Sequence, residues 1–323
     1  MIELIAQAEA MREAVRLAER VAVTDANVLV TGESGAGKDA LALFVHAKSP
    51  RAAEPYVKID CAALPSELLE SELFGYERGA FTGAMQAKPG RLEAAHKGTL
   101  VLDEIAHLTL DAQAKLLRVI ERREFERLGG RHTLRIDARL LALTNVDLDE
   151  AVRRRAFRPD LFYRLNVVRI QVPPLRERRQ DIGELAVRFV KNYAAKHGRR
   201  AQGLSREALT LLQDYDFPGN VRELAHVLER AVIVADGERV EAKDLPESIA
   251  AAGALREQRN KRRTLAELEA DYIAETLAHT KGNKAAAARL LGISRKNLYE
   301  KLARYEEIRD QRSEDSKNNK SDI

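Results

Sequence analysis

The sequence predicts an α/β protein: a parallel sheet covered by helices, then a helical subdomain, then a small all-α C-terminal domain. Short apolar strands alternate with helical stretches up to residue 172, which favours a parallel sheet covered on both faces. After Pro173-Pro174 only helical patterns remain, and a compact helical segment begins near residue 265. These observations predict two or three folded units.

The predicted elements of the first two units follow one another closely. Residues 1–20 have apolar positions at helical spacing, and each predicted strand is a short apolar run. The predicted strands are 28–31, 56–60, 99–102, 139–144 and 167–172, and the predicted helices include 111–123, 181–196, 205–215 and 221–234. We therefore assign residues 1–172 to the sheet subdomain and residues 173–249 to the helical subdomain.

The remainder predicts a linker, a small domain and a tail. Residues 250–264 are Ala-rich and then basic, which is typical of a linker. Residues 265–305 predict a compact helical domain. Residues 306–323 are polar and mixed in charge, so we expect them to be disordered.

Composition narrows the class of protein. Cys61 is the only cysteine, so no internal disulfide can form, and a reducing compartment fits the chain. No apolar run approaches the roughly 20 residues of a membrane span, and no signal-peptide pattern opens the chain. The histidines and Cys61 lack metal-binding spacing. We expect a soluble, cytoplasmic protein with no metal beyond what a nucleotide carries.

Positive charge is concentrated near the C-terminus. The formal net charge of the chain is +4, but residues 281–305 hold seven basic residues and one acid, Glu300. Such a concentration indicates a surface for a polyanion such as double-stranded DNA. A solvated helix face is the alternative explanation of the same charges.

A glycine-rich segment between a strand and a helix has the spacing of a P-loop. Its glycines let backbone N–H groups converge on phosphates, the following helix N-terminus adds positive potential, and a lysine reaches the outer phosphates. The segment consists of Gly32, Glu33, Ser34, Gly35, Ala36, Gly37 and Lys38. Asp39 stands where the general motif has Ser or Thr for Mg²⁺.

Two acids, Asp103 and Glu104, follow an apolar strand at residues 100–102. They are expected at the carboxyl edge of the sheet beside the P-loop. Alone, such a pair after a strand is more often a helix cap. Next to a P-loop it favours phosphoryl-transfer chemistry, which depends mainly on positioning and charge.

A second distinctive segment is the hexapeptide at residues 79–84. Two glycines free to take positive φ flank an apolar ring that has no helix or strand pattern around it, so we expect a mobile loop with an exposed Phe81 that contacts a partner. A plain surface turn is the alternative. Its residues are Gly79, Ala80, Phe81, Thr82, Gly83 and Ala84.

These motifs together resemble the sigma-54-dependent transcription activators, the bacterial enhancer-binding proteins of the AAA+ superfamily, whose signature loop has the sequence of residues 79–84. The resemblance covers roughly residues 5–305. It implies an AAA+ P-loop sheet with a helical lid, ATP and Mg²⁺ as cofactors, and an ATPase that forms dimers and then a ring, expected to be a hexamer. It also implies that the loop contacts sigma-54 RNA polymerase, with Phe81 as the inserting residue.

The resemblance assigns further roles. Asp103 holds Mg²⁺, Glu104 polarises the attacking water, and the family also places an acid at the position of Asp39. Asn145 matches a sensor of the γ-phosphate, and Arg222, after Pro218-Gly219, matches the second sensor in the lid. A turn-forming Asn and a simple helix start are the alternative interpretations.

Two arginines, Arg158 and Arg164, match the family's arginine fingers, which act on the nucleotide of a neighbouring subunit. Surface pairing with Asp160 is the alternative. One position departs from the family: Asp60 stands where members tend to carry an Asn that switches the catalytic Glu. Since a carboxylate cannot donate an amide hydrogen bond and repels Glu104, Asp60 argues against that switch here.

The C-terminal residues 282–294 predict an Ala-rich helix, a glycine turn and a Ser cap that opens a second helix. They resemble a Fis-type helix-turn-helix, which would bind an upstream palindromic DNA site, and a helical hairpin is the alternative. Residues 265–279 would pair two subunits through Leu265, Leu268, Tyr272 and Leu277. The candidate DNA-binding residues are Lys284, Ser294, Arg295, Lys296, Asn297 and Lys301. The last four of these are expected to project outward.

Two rival functions stay open at this point: a DNA-binding regulator with a degenerate ATPase, which Asp60 favours, and an AAA+ remodeller unrelated to transcription. Because Met1 lies only about thirty residues before the P-loop, the sequence resembles family members without an N-terminal regulatory domain. We therefore expect control by a regulatory protein in trans or by expression level.

Overall fold

The structure is a computed structural model that describes residues 4–249, 251, 265–280 and 282–302. The chain divides into two compact units, 1–253 and 254–323. Nearly all of the predicted linker 250–264 and the whole predicted tail 306–323 lie outside the described residues.

The first unit is built on a five-stranded parallel sheet. All five predicted strands are present, with ends shifted by at most one residue. They are β1 (Val28–Thr31), β2 (Tyr56–Asp60), β5 (Thr99–Asp103), β8 (Arg139–Thr144) and β9 (Val168–Gln171). Their order across the sheet is β2-β5-β8-β1-β9.

Both faces of this sheet are buried, because side chains alternate between two apolar clusters. In β8, Leu140 and Ala142 belong to one cluster, while Leu141 and Leu143 belong to the other. This alternation is the pattern of a parallel sheet covered by helices on both sides. The covering helices are α1 (Glu9–Ala22), α2 (Lys38–Ala47), α3 (Ser66–Phe74), α4 (Arg91–Ala94), α5 (Leu110–Arg122), α6 (Leu148–Arg153) and α7 (Pro159–Leu165), and a short 3-10 turn covers Ile105–His107.

Two small antiparallel pairs lie beside the sheet and were not predicted. The strands β3 (Gly75–Tyr76) and β4 (Lys88–Pro89) form one pair, and β6 (Glu124–Glu126) and β7 (Thr133–Arg135) form the other. A bridge between Tyr76 and Leu128 connects the two pairs.

The helical subdomain has its own apolar core, in which Ile182, Val190, Phe217, Leu224 and Leu228 are buried. The helices predicted for this subdomain are present. They are α8 (Gln180–His197), α9 (Arg206–Asp214) and α10 (Asn220–Val234), accompanied by a two-stranded pair of β10 (Gly203–Leu204) and β11 (Arg239–Val240) and by 3-10 turns at Leu175–Glu177 and Ala242–Asp244.

Within its described residues, the second unit contains three helices: α11 (Leu265–His279), α12 (Lys284–Leu290) and α13, which covers residues 295–302. Its small core joins Ile273, Ala287, Ala288 and Leu298. The two alanines let α12 approach its neighbours closely. Across the described part of the chain, none of the helices is long and apolar enough to span a bilayer.

Candidate functional site

The P-loop connects β1 to α2, and its glycines are required by its geometry. Gly35 and Gly37 have φ values of 73° and 103°, which only glycine adopts readily. A Cβ on Gly35 would lie 2.5 Å from the carbonyl oxygen of Gly219, so the helical subdomain packs directly on this loop.

Lys38 is buried at the start of α2 and points its ammonium group back at the loop. Its Nζ donates to the carbonyl oxygens of Gly32 at 2.9 Å and Glu33 at 3.3 Å. The same Nζ lies 3.5 Å from Oε1 of Glu104. The loop, the helix start and this cation together form the electropositive cradle that phosphates need.

Glu104 occupies a strained position at the end of β5. Its φ of 52° is left-handed, a conformation that costs a non-glycine residue of the order of 1–3 kcal/mol. Its Oε2 accepts a hydrogen bond of 3.1 Å from the backbone N–H of Asn145, just after β8. The predicted sensor, Asn145, therefore contacts the predicted catalytic acid, Glu104, through the main-chain N–H of Asn145.

Asp39 and Asp103 meet at a residue that the sequence analysis missed, Lys58. Its Nζ lies 2.5 Å from Oδ1 of Asp39 and 2.7 Å from Oδ2 of Asp103. Burial alone would lower the pKa of Lys58, but hydrogen bonds to the two carboxylates raise it. Asp39, a predicted cofactor-binding residue, and Asp103, the predicted Mg²⁺ ligand, thus lie close together.

Asp60 lies next to Asp103 in register, but its side chain has a local partner. Oδ1 of Asp60 accepts a hydrogen bond of 2.9 Å from the backbone N–H of Ala62, forming a turn after β2. The adjacent Cys61 is buried. Burial, with the charges of Asp60, Asp103 and Glu104, raises the pKa of its thiol to about 12, so the thiol stays protonated at neutral pH.

The helical subdomain reaches the P-loop through α10. Nη1 of Arg222 donates to Oγ of Ser34 at 2.9 Å, so the predicted second sensor lies at the predicted nucleotide site. A second contact went unpredicted: Nδ2 of the buried Asn220 donates to Oε2 of Glu33 at 3.0 Å and to the carbonyl oxygen of Ser34 at 3.1 Å.

Glu33 is held by two partners. Arg176 forms a two-pronged ion pair with it, at 2.9 and 2.6 Å. Hydrogen bonds from Arg176 and then Asn220 lower the pKa of Glu33 to about 2. The carboxylate is therefore charged across the physiological range, and it links the P-loop to the first turn of the helical subdomain.

A cavity of about 230 Å³ lies between these elements. The residues present fit a Mg²⁺–nucleotide: glycine backbone and Lys38 suit phosphates, Asp39 and Asp103 suit a hard cation, and Phe189 offers an aromatic face. The residues that line the cavity are Ser34, Gly35, Gly37, Lys38, Asp39, Asp103, Phe189, Val221, Arg222 and Ala225.

Arg158 and Arg164 do not line this cavity. Arg158 pairs with Asp160, whose Oδ2 lies 2.7 Å from its Nη2, and Arg164 pairs with Glu121 at 3.0 Å. The pairing of Arg158 with Asp160 is the alternative that the sequence left open. Both arginines are at the surface, Arg158 immediately before α7 and Arg164 within it, where a neighbouring molecule can reach them.

The hexapeptide forms a compact turn with an exposed ring. The backbone N–H of Gly79 donates to the carbonyl oxygen of Ala84 at 2.9 Å, which closes the turn. Phe81 is 46% exposed, and its ring contacts Tyr76 edge-on at 5.0 Å. Ala80 packs against Gly129 of the β6–β7 hairpin so closely that a Cβ on Gly129 would lie 2.8 Å from the Cα of Ala80.

The C-terminal helices have the predicted glycine turn and Ser cap, and an additional cap at Asn283 that was not predicted. Asn283 caps α12, and Oγ of Ser294 accepts from the backbone N–H of Asn297 at 3.1 Å, which caps α13. Arg295, Lys296 and Asn297 are exposed. The Nζ of Lys284 lies 4.7 Å from the centre of the Tyr299 ring.

Two predictions for this domain need correction. Lys301 does not project outward: its Nζ pairs with Oε1 of Glu269 at 2.6 Å, which joins α13 to α11. Leu277 was predicted to pair subunits, but it packs against the core of its own unit. Tyr272 is exposed, whereas the side chains of Leu265 and Leu268 lie outside the described residues.

Comparison with protein families places three models end to end along the chain. The Sigma-54 interaction domain matches residues 4–171, the AAA+ ATPase lid domain matches 176–262, and the Fis-family bacterial regulatory protein model matches 264–305. The predicted fold class, an AAA+ sheet with a lid and a C-terminal helix-turn-helix, is confirmed.

Relatives and solved structures of similar sequence agree with these family matches. Regulatory protein AtoC of Escherichia coli (strain K12) is 43% identical over 310 residues, 94% of this chain and 67% of AtoC. ZraR of Salmonella typhimurium is 45% identical, over 93% of this chain and 68% of ZraR. The crystal structure of NtrX from Brucella abortus in complex with ATP matches with a TM-score of 0.72 and 35% identity, over 93% of this chain and 69% of NtrX.

The sheet, lid and P-loop define an AAA+ ATPase that carries a Fis-type DNA-binding domain. The chain belongs to the family of sigma-54-dependent transcriptional regulators. It spans about two thirds of the length of these relatives.

Proposed function

We propose that this protein assembles into a ring, hydrolyses ATP, and uses that hydrolysis to remodel the closed complex of sigma-54 RNA polymerase so that promoter DNA opens. The C-terminal domain binds an upstream palindromic site as a dimer, and the activity belongs to the bacterial cytoplasm. The observation that carries the proposal is the exposed Phe81, whose loop follows α3 and β3, with α3 hydrogen-bonded to the segment after Glu104.

In this proposal the P-loop and Lys38 bind the phosphates, Asp39 and Asp103 hold Mg²⁺, and Glu104 orients the attacking water. When bound, Mg²⁺–ATP supplies the phosphoryl group and neutralises its developing charge. Lys38 contacts Glu104 at 3.5 Å. Once Lys38 turns to a phosphate, Glu104 loses that neighbour and keeps the N–H of Asn145, which leaves one carboxylate oxygen for water.

A hydrogen-bonded path supports the coupling of Glu104 to the loop. The 3-10 turn after Glu104 leads to Thr109, whose Oγ1 donates to Oε1 of Glu70 at 3.0 Å. Lys115 of α5 donates to the other oxygen of Glu70 at 2.6 Å. Glu70 lies on α3, which is followed by β3 and then by the loop. In this proposal a shift at Glu104 reaches Phe81 along these contacts, and the loop is the two-state element.

Three arginines have the remaining roles in this proposal, two at the nucleotide of the adjacent subunit and one in the lid. Arg158 and Arg164 act on the nucleotide of the adjacent subunit after exchanging Asp160 and Glu121 for phosphate oxygens. Arg222 senses the nucleotide from the lid through its place beside Ser34. A fixed guanidinium fork suits spreading phosphate charge better than an ammonium group.

Replacing Glu104 by Gln tests the proposal. The amide keeps the shape but cannot take a proton from water, so we expect ATP turnover to fall at least about 100-fold while nucleotide binding persists. Promoter opening on a sigma-54 template should be abolished, with DNA binding unchanged. Glu54→Gln, on an exposed turn, is the matched control. Opening by Glu104→Gln at the rate of the parent protein would contradict the proposal.

A further inference from the structure

We propose that Lys58 is a positioning residue that sets how strongly Mg²⁺ and nucleotide depend on each other for binding, because its ammonium group takes the place of the metal's charge between Asp39 and Asp103. This inference rests on the proposed function, in which those two acids hold Mg²⁺.

The position of Lys58 follows from the register of the sheet. Asp60 of β2 pairs with Asp103 of β5, and Lys58 lies two residues before Asp60. Side chains two residues apart on a strand share a face, so Lys58 and Asp103 lie on the same face of the sheet. Asp39 lies in the first turn of α2, and α2 packs in the same apolar cluster as Val101 of β5, so Asp39 lies over that same face.

The contacts of Lys58 with the two carboxylates are short. One Nζ lies 2.5 Å from Asp39 and 2.7 Å from Asp103, and the side chain of Asp103 is only 14% exposed. Lys58 itself is anchored on a strand of the central sheet and is 34% exposed. A lysine so placed balances part of the charge of two carboxylates that would otherwise repel each other and any incoming phosphate.

Lys58 has two effects on the coupling between Mg²⁺ and nucleotide, and both act in the same direction. With nucleotide and no metal, Lys58 offsets repulsion between the phosphates and the two acids, so it favours binding of the free nucleotide. With Mg²⁺, Lys58 must give up carboxylate oxygens that the metal uses, so it opposes metal binding. Both effects reduce the factor by which Mg²⁺ strengthens nucleotide binding, and this factor is reciprocal between the two ligands.

The test measures the dissociation constant of a fluorescent ADP derivative for the full chain, with Mg²⁺ and with EDTA. In Lys58→Met we expect affinity in EDTA to fall about 10-fold while affinity with Mg²⁺ stays within about 3-fold of the parent, as expected for removal of one charge near an exposed site. Lys58→Arg, which keeps the charge, should behave like the parent. Lys48→Met makes the same change at an exposed lysine whose Nζ lies over Phe44, and should alter neither constant.

Equal weakening under both conditions would mean that Lys58 only supports the fold, and would overturn the inference. Thermal unfolding checks that each variant is folded, and Lys58→Gln replaces the Met variant if that one is not. Asp103→Asn separates this inference from the proposed function. If Asp103→Asn keeps the parent's Mg²⁺ dependence, the metal role of Asp103 fails. If Asp103→Asn loses it while Lys58→Met does not change it, only the inference about Lys58 fails.

Discussion

Asn220 shows how one buried residue joins two subdomains. Its side chain donates to Glu33 and to the carbonyl oxygen of Ser34, and its Oδ1 accepts from the backbone N–H of Leu175 at 2.8 Å. The residue is fully buried and has a φ of 54°, which Asn tolerates better than most residues. The P-loop, the lid helix α10 and the first lid turn thus share one amide.

We predict that Asn220→Ala lowers the free energy of unfolding by about 2–4 kcal/mol, since it leaves buried polar groups unpaired and adds backbone strain. Asn220→Gly removes the same hydrogen bonds but accepts the positive φ, so its destabilisation should be smaller by about 1 kcal/mol. Urea unfolding of the three proteins measures both differences. Equal destabilisation by Ala and Gly would show that the backbone conformation of Asn220 contributes nothing.

Where the predicted nucleotide-site residues belong to contiguous motifs, as with Lys38 and Asp103, the structure places them around one cavity. It missed Lys58 and Asn220, because their importance depends on which strand lies beside which and on how the lid folds back. Lys58 could have been found from one signal, its spacing of two residues from Asp60, but only if β2 were known to neighbour β5. Lys301 was expected to project outward because it lies in a basic segment, and its partner Glu269 could not be read from the sequence because it lies far away along the chain.

At the scale of elements, α13 carries the DNA-binding prediction. Arg295 and Lys296 are exposed in its first turn, while Lys301 is taken up by the ion pair with Glu269. We predict that replacing Arg295 and Lys296 by Ala weakens DNA binding uniformly across sequences. The slope of log affinity against log salt should fall by about 1 for each phosphate that these side chains neutralise in the parent.

Lys301→Ala is the informative comparison for that experiment. We expect Lys301→Ala to lower the stability of the C-terminal unit, and to change the slope of log affinity against log salt less than the double variant does. Titrations of duplex DNA at several salt concentrations, with thermal unfolding alongside, measure both. A salt slope that falls with Lys301→Ala but not with the double variant would reverse the assignment.

The helices were predictable because their apolar periods are long and regular, and the strands of the central sheet because each is a short apolar run. The β3–β4 and β6–β7 pairs were not, since strands of two or three residues have no readable period. Yet these pairs hold the base of the Phe81 loop: the backbone N–H of Glu77 donates to the carbonyl oxygen of Leu128 at 3.0 Å. The loop was recognised from its sequence, whereas its support needed the structure.

At the scale of the whole molecule, the site is predicted to be complete only between subunits, because Arg158 and Arg164 lie away from the cavity of their own chain. We predict that Arg158→Ala and Glu104→Gln are each nearly inactive as ATPases, while a mixture regains a measurable part of the parent's turnover. In a mixed ring, some sites combine an intact Glu104 with an intact Arg158 from the neighbour. No recovery in the mixture, with ring assembly verified by light scattering, would argue that Arg158 acts within its own subunit.

The central claim is that Phe81 transmits ATP hydrolysis to sigma-54 RNA polymerase. The most direct measurement is ATP-dependent promoter melting by the polymerase, probed by single-strand-specific footprinting, with Phe81→Ala and Met85→Ala compared to the parent. Met85 is exposed just outside the hexapeptide and serves as the matched control. We expect Phe81→Ala to keep ATP turnover but to abolish melting, while Met85→Ala retains both. Melting by Phe81→Ala at the level of the parent would contradict the proposed role of Phe81.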